Sequence, residues 1–502
     1  MSGPAHSRYD DVVVGAGTAG LTAALLLARS GRSVLLVDRA PAPGGALRRF
    51  RRSGAWFDTG FHFTGSVLPG ELFDHLLDRL GVRGQVDLRP YRTRSAHRFV
   101  FTEERAEVEV PQGLEAARAC WRERFPEEAD AVDWYFDAIQ SVAARTMGMI
   151  PGAPLATVGM LDEDFVSLRS VLDARFRNPL LKGAVSAFAM CHGSPPAKVS
   201  FAAHARVAYG FHQSVGYVTG GGDALARALS SAAAAAGVEI CCGCGLEAFT
   251  RIEGGQPREA ALTGGRTVVF ERCVLTIAPA QILEFLQPIQ PTPAFRERVK
   301  AFEPSIGFFA GFGIVGQQAP GDGHVIRSEF PETDFDRMMD PAYGGERPLV
   351  LIEVPGGETD DDPPTVSALE MSFAEDVARW AGSRKGCRPP DYVDYKRRRL
   401  EAIAERVGRL ARYADGVRWV ESASMLTFRD WLHSPEGSAY GIVQKVGQYG
   451  LFGRLPGRNV YAAGQSALLP GVLGAMMSGI FAARQMIGKD AFDGQLFGTE
   501  GY

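Results

Sequence analysis

The sequence predicts an α/β fold of two domains, a Rossmann-like nucleotide-binding domain and an α+β domain inserted into it. Three observations predict this. A glycine-rich turn near the N-terminus stands between a strand-like run and a helix-like run, and an acid closes the next strand. Two later stretches, one in the middle of the chain and one near its end, repeat the succession of apolar strand, glycine turn and helix. The chain has 502 residues, enough for two or three domain equivalents with a large core, so long inserts can separate these stretches.

The first element is "VVVGAGTAGLTAALLLARSGRSVLLVDRA", Val12 to Ala40. Asp11 to Val14 reads as a short, largely apolar strand, as expected of a central parallel strand. Gly15, Gly17 and Gly20 satisfy G-x-G-x-x-G. The first glycine makes the tight turn, the second admits a pyrophosphate beside the backbone, and the third lets helix and sheet approach. Leu21 to Arg29 is helix-like and Gly31 is placed to end it. Ser33 to Val37 is the second strand, with Asp38 at its end, eighteen residues past Gly20. Its carboxylate can accept hydrogen bonds from ribose hydroxyls. The helix start offers free N–H groups and a positive dipole to phosphate.

Composition excludes several classes. A net charge of −4 gives no basic footprint for nucleic acid. Seven cysteines in so long a chain are not a disulfide framework, and a reducing, cytoplasmic setting is expected. "CCGC", Cys241 to Cys244, has no second Cys/His pair nearby, so no metal site is expected and the run reads as small residues in a buried strand. "MSGPAHSRYD" lacks the apolar core of a secretory signal. Val460 to Ala483 carries no charge over 24 residues, but Gly464 and Gln465 precede a break at Pro470 and Gly471. It reads as strand, turn and buried helix, and not as a membrane span.

The motif alone does not choose between NAD and FAD. The continuation, "RAPAPGGALRRFRRSGAWFDTGFHFTG", does. A nicotinamide domain would go on into helix and parallel strand. Here a loop reaches Gly44–Gly45, where backbone can run beside a flat ring, and two short strands follow.

With those residues the chain resembles the flavin oxidoreductases that include phytoene desaturases, carotenoid cis–trans isomerases and retinol saturase. Asp11 to Gly65 carries the first likeness, and "FDTGFHFTG", Phe57 to Gly65, is most similar to retinol saturases and carotenoid isomerases. Many desaturase relatives have Arg or Lys where this chain has Ala46. The second likeness runs from Gly216 to Ile252, with Leu246 at the position of an adenine-contacting valine, and on through "CVLTIAPAQIL", Cys273 to Leu283. The third is Thr427 to Gln444 followed by Asn459 to Gly488, where Gly464–Gln465 replaces the family's Gly-Asp pair that holds the ribityl chain.

The resemblance implies a two-domain flavoprotein, α/β, of the amine oxidase/phytoene desaturase type. FAD would bind a discontinuous domain of residues 1–95, 215–290 and 420–502, with 96–214 and 291–419 as the substrate domain. The implied FAD contacts are Gly15, Gly17, Ala19, Gly20, Asp38, Arg39, Gly44, Gly45, Ala46, Leu246, Gly464, Gln465, Gly471, Val472 and Leu473. The helix from about Val472 would turn its positive end to the ring, which favours negative charge there.

Within the inserts, Glu115 to Ala144 and Lys396 to Ala414 have helical spacing. The "KRRR" opening the latter reads as a solvated face, with anionic lipid as the other option. "SIGFFAGFGIVG", Ser305 to Gly316, reads as a strand under the substrate, and "VPGGETDDDPP", Val354 to Pro364, as a polar loop. Of 30 phenylalanines, Phe176, Phe188, Phe201, Phe211, Phe302, Phe308, Phe309 and Phe312 fall in the inserts, as tunnel lining or as core.

Flavin chemistry on a C=C bond needs hydride exchange and, for reduction, a proton. His62, in "GFHF", is either that donor or a structural histidine; Tyr440, in "GSAYG", either donates a proton or walls the pocket. Glu436, Lys445 and His192 are further polar options, each read first as structural. No Ser/His/Asp elbow and no H-E-x-x-H occurs. The resemblance thus implies an FAD-dependent oxidoreductase for a lipophilic polyene or isoprenoid, by saturation or desaturation. The alternatives are a carotenoid-type isomerase, a flavin amine oxidase, and a non-catalytic isoprenoid- or flavin-binding chaperone. Peripheral membrane contact would suit such a substrate, and no second nicotinamide motif names an electron donor or acceptor.

Overall fold

The computed structural model describes residues 4–152, 159–316, 326–354, 362–411, 413 and 415–495. Strand β1 (Arg8–Val14) leads through the glycine turn into helix α1 (Thr18–Arg29), and strand β2 (Val34–Asp38) follows. Helix α1 is alanine- and leucine-rich on all sides because all sides are covered: Thr18 to Ala28 are buried without exception. The sheet lies on one side of it, and the helices Gly221–Ala235 and Gly471–Ile487 pack against the others. Small residues permit the second approach, since a Cβ on Gly479 would stand 2.5 Å from the Ala19 carbonyl oxygen.

The sheet around β1 runs in the order Glu239–Cys242, β2, β1, Arg266–Leu275, Gln256–Leu262, Leu246–Glu253, with Val460–Ala462 also beside Arg266–Leu275. The pairs formed by Glu239–Cys242, β2, β1, Arg266–Leu275 and Val460–Ala462 are all parallel. These strands come from the beginning, middle and end of the chain. The carboxyl ends of β1 and β2 and the turn after Val460–Ala462 therefore open on one edge, where doubly wound sheets bind ligands.

A second, seven-stranded sheet runs Val417–Ala423, Gly307–Val315, Thr365–Ser372, Leu349–Val354, Ile326–Phe330, Ser95–Phe101, Ala106–Pro111. Period-two alternation along Gly307–Val315 explains its two faces. Phe308, Ala310 and Phe312 join the core shared with helices Ala129–Arg145 and Phe201–Gln213. Phe309 and Val315 face the helix Pro390–Leu410, through Ile403 and Val407. Gly311 and Gly313 face that helix side too, leaving room for Leu400 and Trp419.

Two sequence expectations are modified here. The helical stretch from Glu115 is two helices, Leu114–Arg124 and Ala129–Arg145, because Pro126 cannot continue the first. The "KRRR" run is not wholly a solvated face. Arg397 and Arg398 are exposed, but Arg399 turns inward to Glu370 and the Phe309 ring. The loop at 354–364 falls largely outside the described residues. None of the described helices is long and apolar enough to cross a membrane.

Candidate active site

Two cavities meet between the sheets. The first, about 490 Å³, follows the open edge of the β1 sheet. Gly15 at its floor has φ of +103°, and a Cβ there would meet the Thr276 side chain at 2.4 Å. Gly17 is different: nothing lies within 4 Å of its would-be Cβ, so any side chain would project into the space a phosphate needs. Asp38 ties the turn together. Its Oδ2 accepts the Ala16 N–H at 2.6 Å and its Oδ1 the Ala40 N–H at 2.8 Å. Each oxygen retains a lone pair for a further donor.

Gly44 and Gly45 both have positive φ, and a Cβ on Gly45 would lie 3.2 Å from the Gly17 Cα. The two glycine loops thus face each other across a gap that only bare backbone leaves open. Opposite them, Gly464 has φ of +112° and donates its N–H to Ser478 Oγ at 2.9 Å. Gln465 is half-buried beside it. The helix Gly471–Ile487 begins at this point, after Pro470.

Ala19, Arg39, Ala46, Leu246, Gly471 and Val472 also line this cavity. Gly20 and Leu473 do not. A Cβ on Gly20 would stand 1.8 Å from the Gly15 carbonyl oxygen, which gives Gly20 a packing task behind the turn. Leu473 lines the second cavity instead.

That second cavity, about 180 Å³, lies between the Ile326–Phe330 region of the large sheet and the helix Phe201–Gln213. Phe188, Phe211, Phe308, Met477 and Leu469 are among its walls. Of the phenylalanines singled out from the sequence, these three line it, whereas Phe176, Phe201, Phe309 and Phe312 are core. Gly60, His62, Phe308, Leu369, Tyr440, Gly471 and Val472 line both cavities and so mark where they join.

His62 stands at that junction because the segment before it is anchored. Asp58 is fully buried, accepts the Gly222 N–H at 3.1 Å and pairs with Arg49 at 3.5 Å. Burial outweighs that cation and raises the Asp58 carboxyl to about 6. Burial also pushes the His62 imidazole down to about 4, so it is neutral at pH 7. Its Nδ1 is buried without a partner among the described residues. Tyr440 is differently engaged. Its hydroxyl donates to the Met190 carbonyl at 2.6 Å, and burial holds the phenol far above its ordinary range.

The remaining polar options lie elsewhere. Glu436 is exposed, and Lys445 pairs with Glu303 at 2.6 Å. His192 is buried at a helix end, where its Nδ1 accepts the Ser194 N–H at 3.3 Å. No cluster of metal-ligating side chains occurs among the described residues, and Cys241 and Cys244 are buried thiols. Sequence reasoning missed Thr276, whose hydroxyl reaches the Val14 and Gly15 carbonyls at 2.9 and 3.1 Å. A hydroxyl closing "CVLT" was the available signal. It also missed His97 and Arg206 on the second cavity, for which no local pattern existed.

The first cavity suits FAD: a glycine cradle at a helix start, an acid at the end of the second strand, and a second helix start at the far end. Comparisons with known proteins agree. The sequence model of the family described as flavin containing amine oxidoreductase matches residues 18–487. All-trans-retinol 13,14-reductase of Macaca fascicularis is 24% identical over 531 aligned positions, covering 97% of this chain and 86% of its own. Hydroxyneurosporene desaturase of Rubrivivax gelatinosus is 30% identical over 284, about half of each chain (52% and 52%). Cyclohexylamine oxidase from Brevibacterium oxydans shares the fold, with a TM-score of 0.61 at 15% identity over 96% of this chain and 98% of its own.

Proposed function

The chain belongs to the flavin containing amine oxidoreductase family, and on that premise we propose that this FAD-dependent oxidoreductase reduces a C=C bond of a lipophilic polyene or isoprenoid. One observation carries the reading: an apolar cavity opens onto the cofactor cavity at His62, Gly471 and Val472, with no other polar channel needed to bring a hydrocarbon there. The retinol reductase, matched along nearly the whole chain, and the carotenoid desaturase support a polyene as substrate.

Gly15, Gly17 and the first N–H groups of α1 would hold the diphosphate, and Asp38 the ribose. Gly245 and Leu246 would flank the adenine end, and Gly464 and Gln465 the ribityl chain. Gly44, Gly45 and the start of helix Gly471–Ile487 would face the ring. Bound FAD supplies hydride exchange with a substrate carbon. The protein's part is to hold that carbon dry between Phe308, Leu369 and Val472. Tyr440, its proton committed to Met190, is a wall. His62 holds or delivers the proton that completes reduction.

An amine oxidase reading draws no support from these walls. Among the described residues no lysine lines either cavity, and the Phe308–Tyr440 pair is edge-to-face at 80° and not a facing cage.

The test is anaerobic incubation of the reduced holoprotein with polyenes, followed by mass analysis. A gain of two hydrogens is expected. Unchanged mass with altered retention would make the protein an isomerase. Turnover of amines, with no polyene altered by either redox state, would overturn the reading.

A further inference from the structure

The segment 432–441 runs along the first cavity, which it lines with His433, Ser434, Gly437 and Tyr440 among others. Tyr440 also lines the second cavity, so this strap forms a wall of both. Its far end is tied to the start of the large sheet. The Ala439 N–H donates to the Ile306 carbonyl at 2.9 Å and the Tyr440 N–H to Ser305 Oγ at 2.9 Å. Its near end is strained. His433 and Glu436 have φ of +56° and +54°, a conformation that residues with side chains keep where their surroundings impose it.

Arg48 reaches that near end from the glycine loop opposite. Its Nη2 donates to the Trp431 carbonyl at 2.9 Å, at the C-terminal end of the helix Met425–Leu432, where helix carbonyls favour a cation. Its Nε donates to the Gly45 carbonyl at 3.2 Å. Its stem lies on Gly44, whose would-be Cβ stands 3.1 Å from Arg48 Cγ. Gly45 in turn faces Gly17 of the phosphate turn. The guanidinium thus bridges two walls of the first cavity, which Arg48 itself lines, half-buried. Among the described residues it has no carboxylate partner, and no hydrogen bond reaches its Nη1. The surroundings are positive: burial and then Arg39 push the His433 imidazole down, and Arg48 and Lys385 add to this against Asp38. A half-buried guanidinium with a free face in such a field calls for an anion.

Resting on the diphosphate placement given above, we propose that Arg48 is a positioning residue that couples cofactor loading to the strap 432–441. Its Nη1 and its charge meet the diphosphate, while Nε and Nη2 keep the Gly45 and Trp431 carbonyls. Anion binding then fixes the guanidinium at all three nitrogens, and the near end of the strap is held with it. The wall that carries Tyr440 is therefore set once FAD is in place. Ala46 and Leu47, the residues between the glycine pair and Arg48, bring no charge to this task.

The experiment uses the FAD-loaded protein and two readouts. FAD release on dilution is followed by free-flavin fluorescence at low and high salt, and amide exchange of the strap is followed by mass spectrometry. Wild-type release is expected to speed up with salt. Arg48→Gln is expected to release FAD about tenfold to a hundredfold faster, with a weaker salt dependence, because a charge-assisted contact is lost. Arg48→Lys keeps the charge but cannot bridge both carbonyls. Its salt dependence is expected to persist, while amides 432–438 exchange faster in both variants and those of α1 do not. Should Arg48→Gln not fold, Arg48→Lys carries the test through its strap exchange and a release rate faster than wild type.

Release from Arg48→Gln within about twofold of wild type would overturn this inference alone. So would faster release with an undiminished salt dependence, which is what a purely structural arginine gives. Unchanged strap exchange in both variants would overturn the coupling. A wild-type protein that takes up no FAD would overturn the cofactor placement, and this inference with it.

Discussion

Asp38 accepts the Ala16 N–H through Oδ2 at 2.6 Å, so the end of β2 clamps the glycine turn that follows β1. The same carboxylate accepts the Ala40 N–H, and a ribose would bond it from the open side. Hydrogen bonds to an ionised group contribute about 1.5–3 kcal/mol each. Asp38→Ala is therefore expected to weaken FAD retention by about tenfold to a hundredfold while leaving the fold intact. Flavin absorbance after dialysis measures this. Full retention would show that the clamp is dispensable.

Gly20 has a different expected outcome. Its Cβ position lies 1.8 Å from the Gly15 oxygen, so Gly20→Val must push α1 off the turn. The product is expected to be colourless as purified, with a lowered melting temperature. A yellow Gly20→Val protein of normal stability would contradict the packing role.

The proton role proposed for His62 predicts a pH dependence for reduction. Its imidazole is lowered to about 4, so the protonated donor form is scarce at pH 7 and grows as pH falls. The polyene-reduction rate is expected to rise from pH 8 toward pH 5. His62→Gln is expected to flatten that profile and to lower the rate by about 10²–10⁴-fold, the range for a lost general acid. An unchanged rate and profile in His62→Gln would leave His62 structural.

The interior beside the second cavity should be sensitive to acid. His97, His192 and His212 are buried, and burial lowers each to about 3. Their folded values lie below the unfolded value near 6.5, so the stability they contribute is complete above about pH 6.5 and is lost as pH falls toward 3. At pH 5 each costs about 2 kcal/mol relative to neutral pH. His212 sits among Trp121, Tyr135, Phe136 and Phe188, with both ring nitrogens unpartnered among the described residues. His212→Phe is expected to reduce the drop in melting temperature between pH 7.5 and pH 5. An equal drop in both proteins would refute this.

Behind the seven-stranded sheet, Arg406 donates to Glu329 at 2.7 Å and to Glu370 at 2.9 Å, and is 5% exposed. Arg406→Leu leaves two buried carboxylates without it and is expected to destabilise the protein by about 3–5 kcal/mol. Denaturant unfolding measures the change. A loss below about 1 kcal/mol would mean that the carboxylates protonate or find other partners.

The first cavity's glycine turns were legible in the chain as written. Gly15, Gly17, Asp38 and Gly44–Gly45 act through backbone conformation and short-range order, and those requirements leave residue types at set spacings. The strand at Gly307–Val315 and the turn before Gly471 were readable for the same reason. The second cavity was not. His62 was named from its segment, but its neutrality depends on what surrounds it. Arg206 and Asp164 lie 42 positions apart, and neither neighbourhood signals the other. Arg399 looked solvated until the large sheet placed Glu370 opposite it.

The sequence by itself determined a glycine turn and two helix starts suited to a dinucleotide, because those features are set by local backbone. Only the tertiary structure decided where an apolar cavity joins that turn. That arrangement arises from side chains brought together across the inserts, where burial and pairing, and not spacing along the chain, set the chemistry.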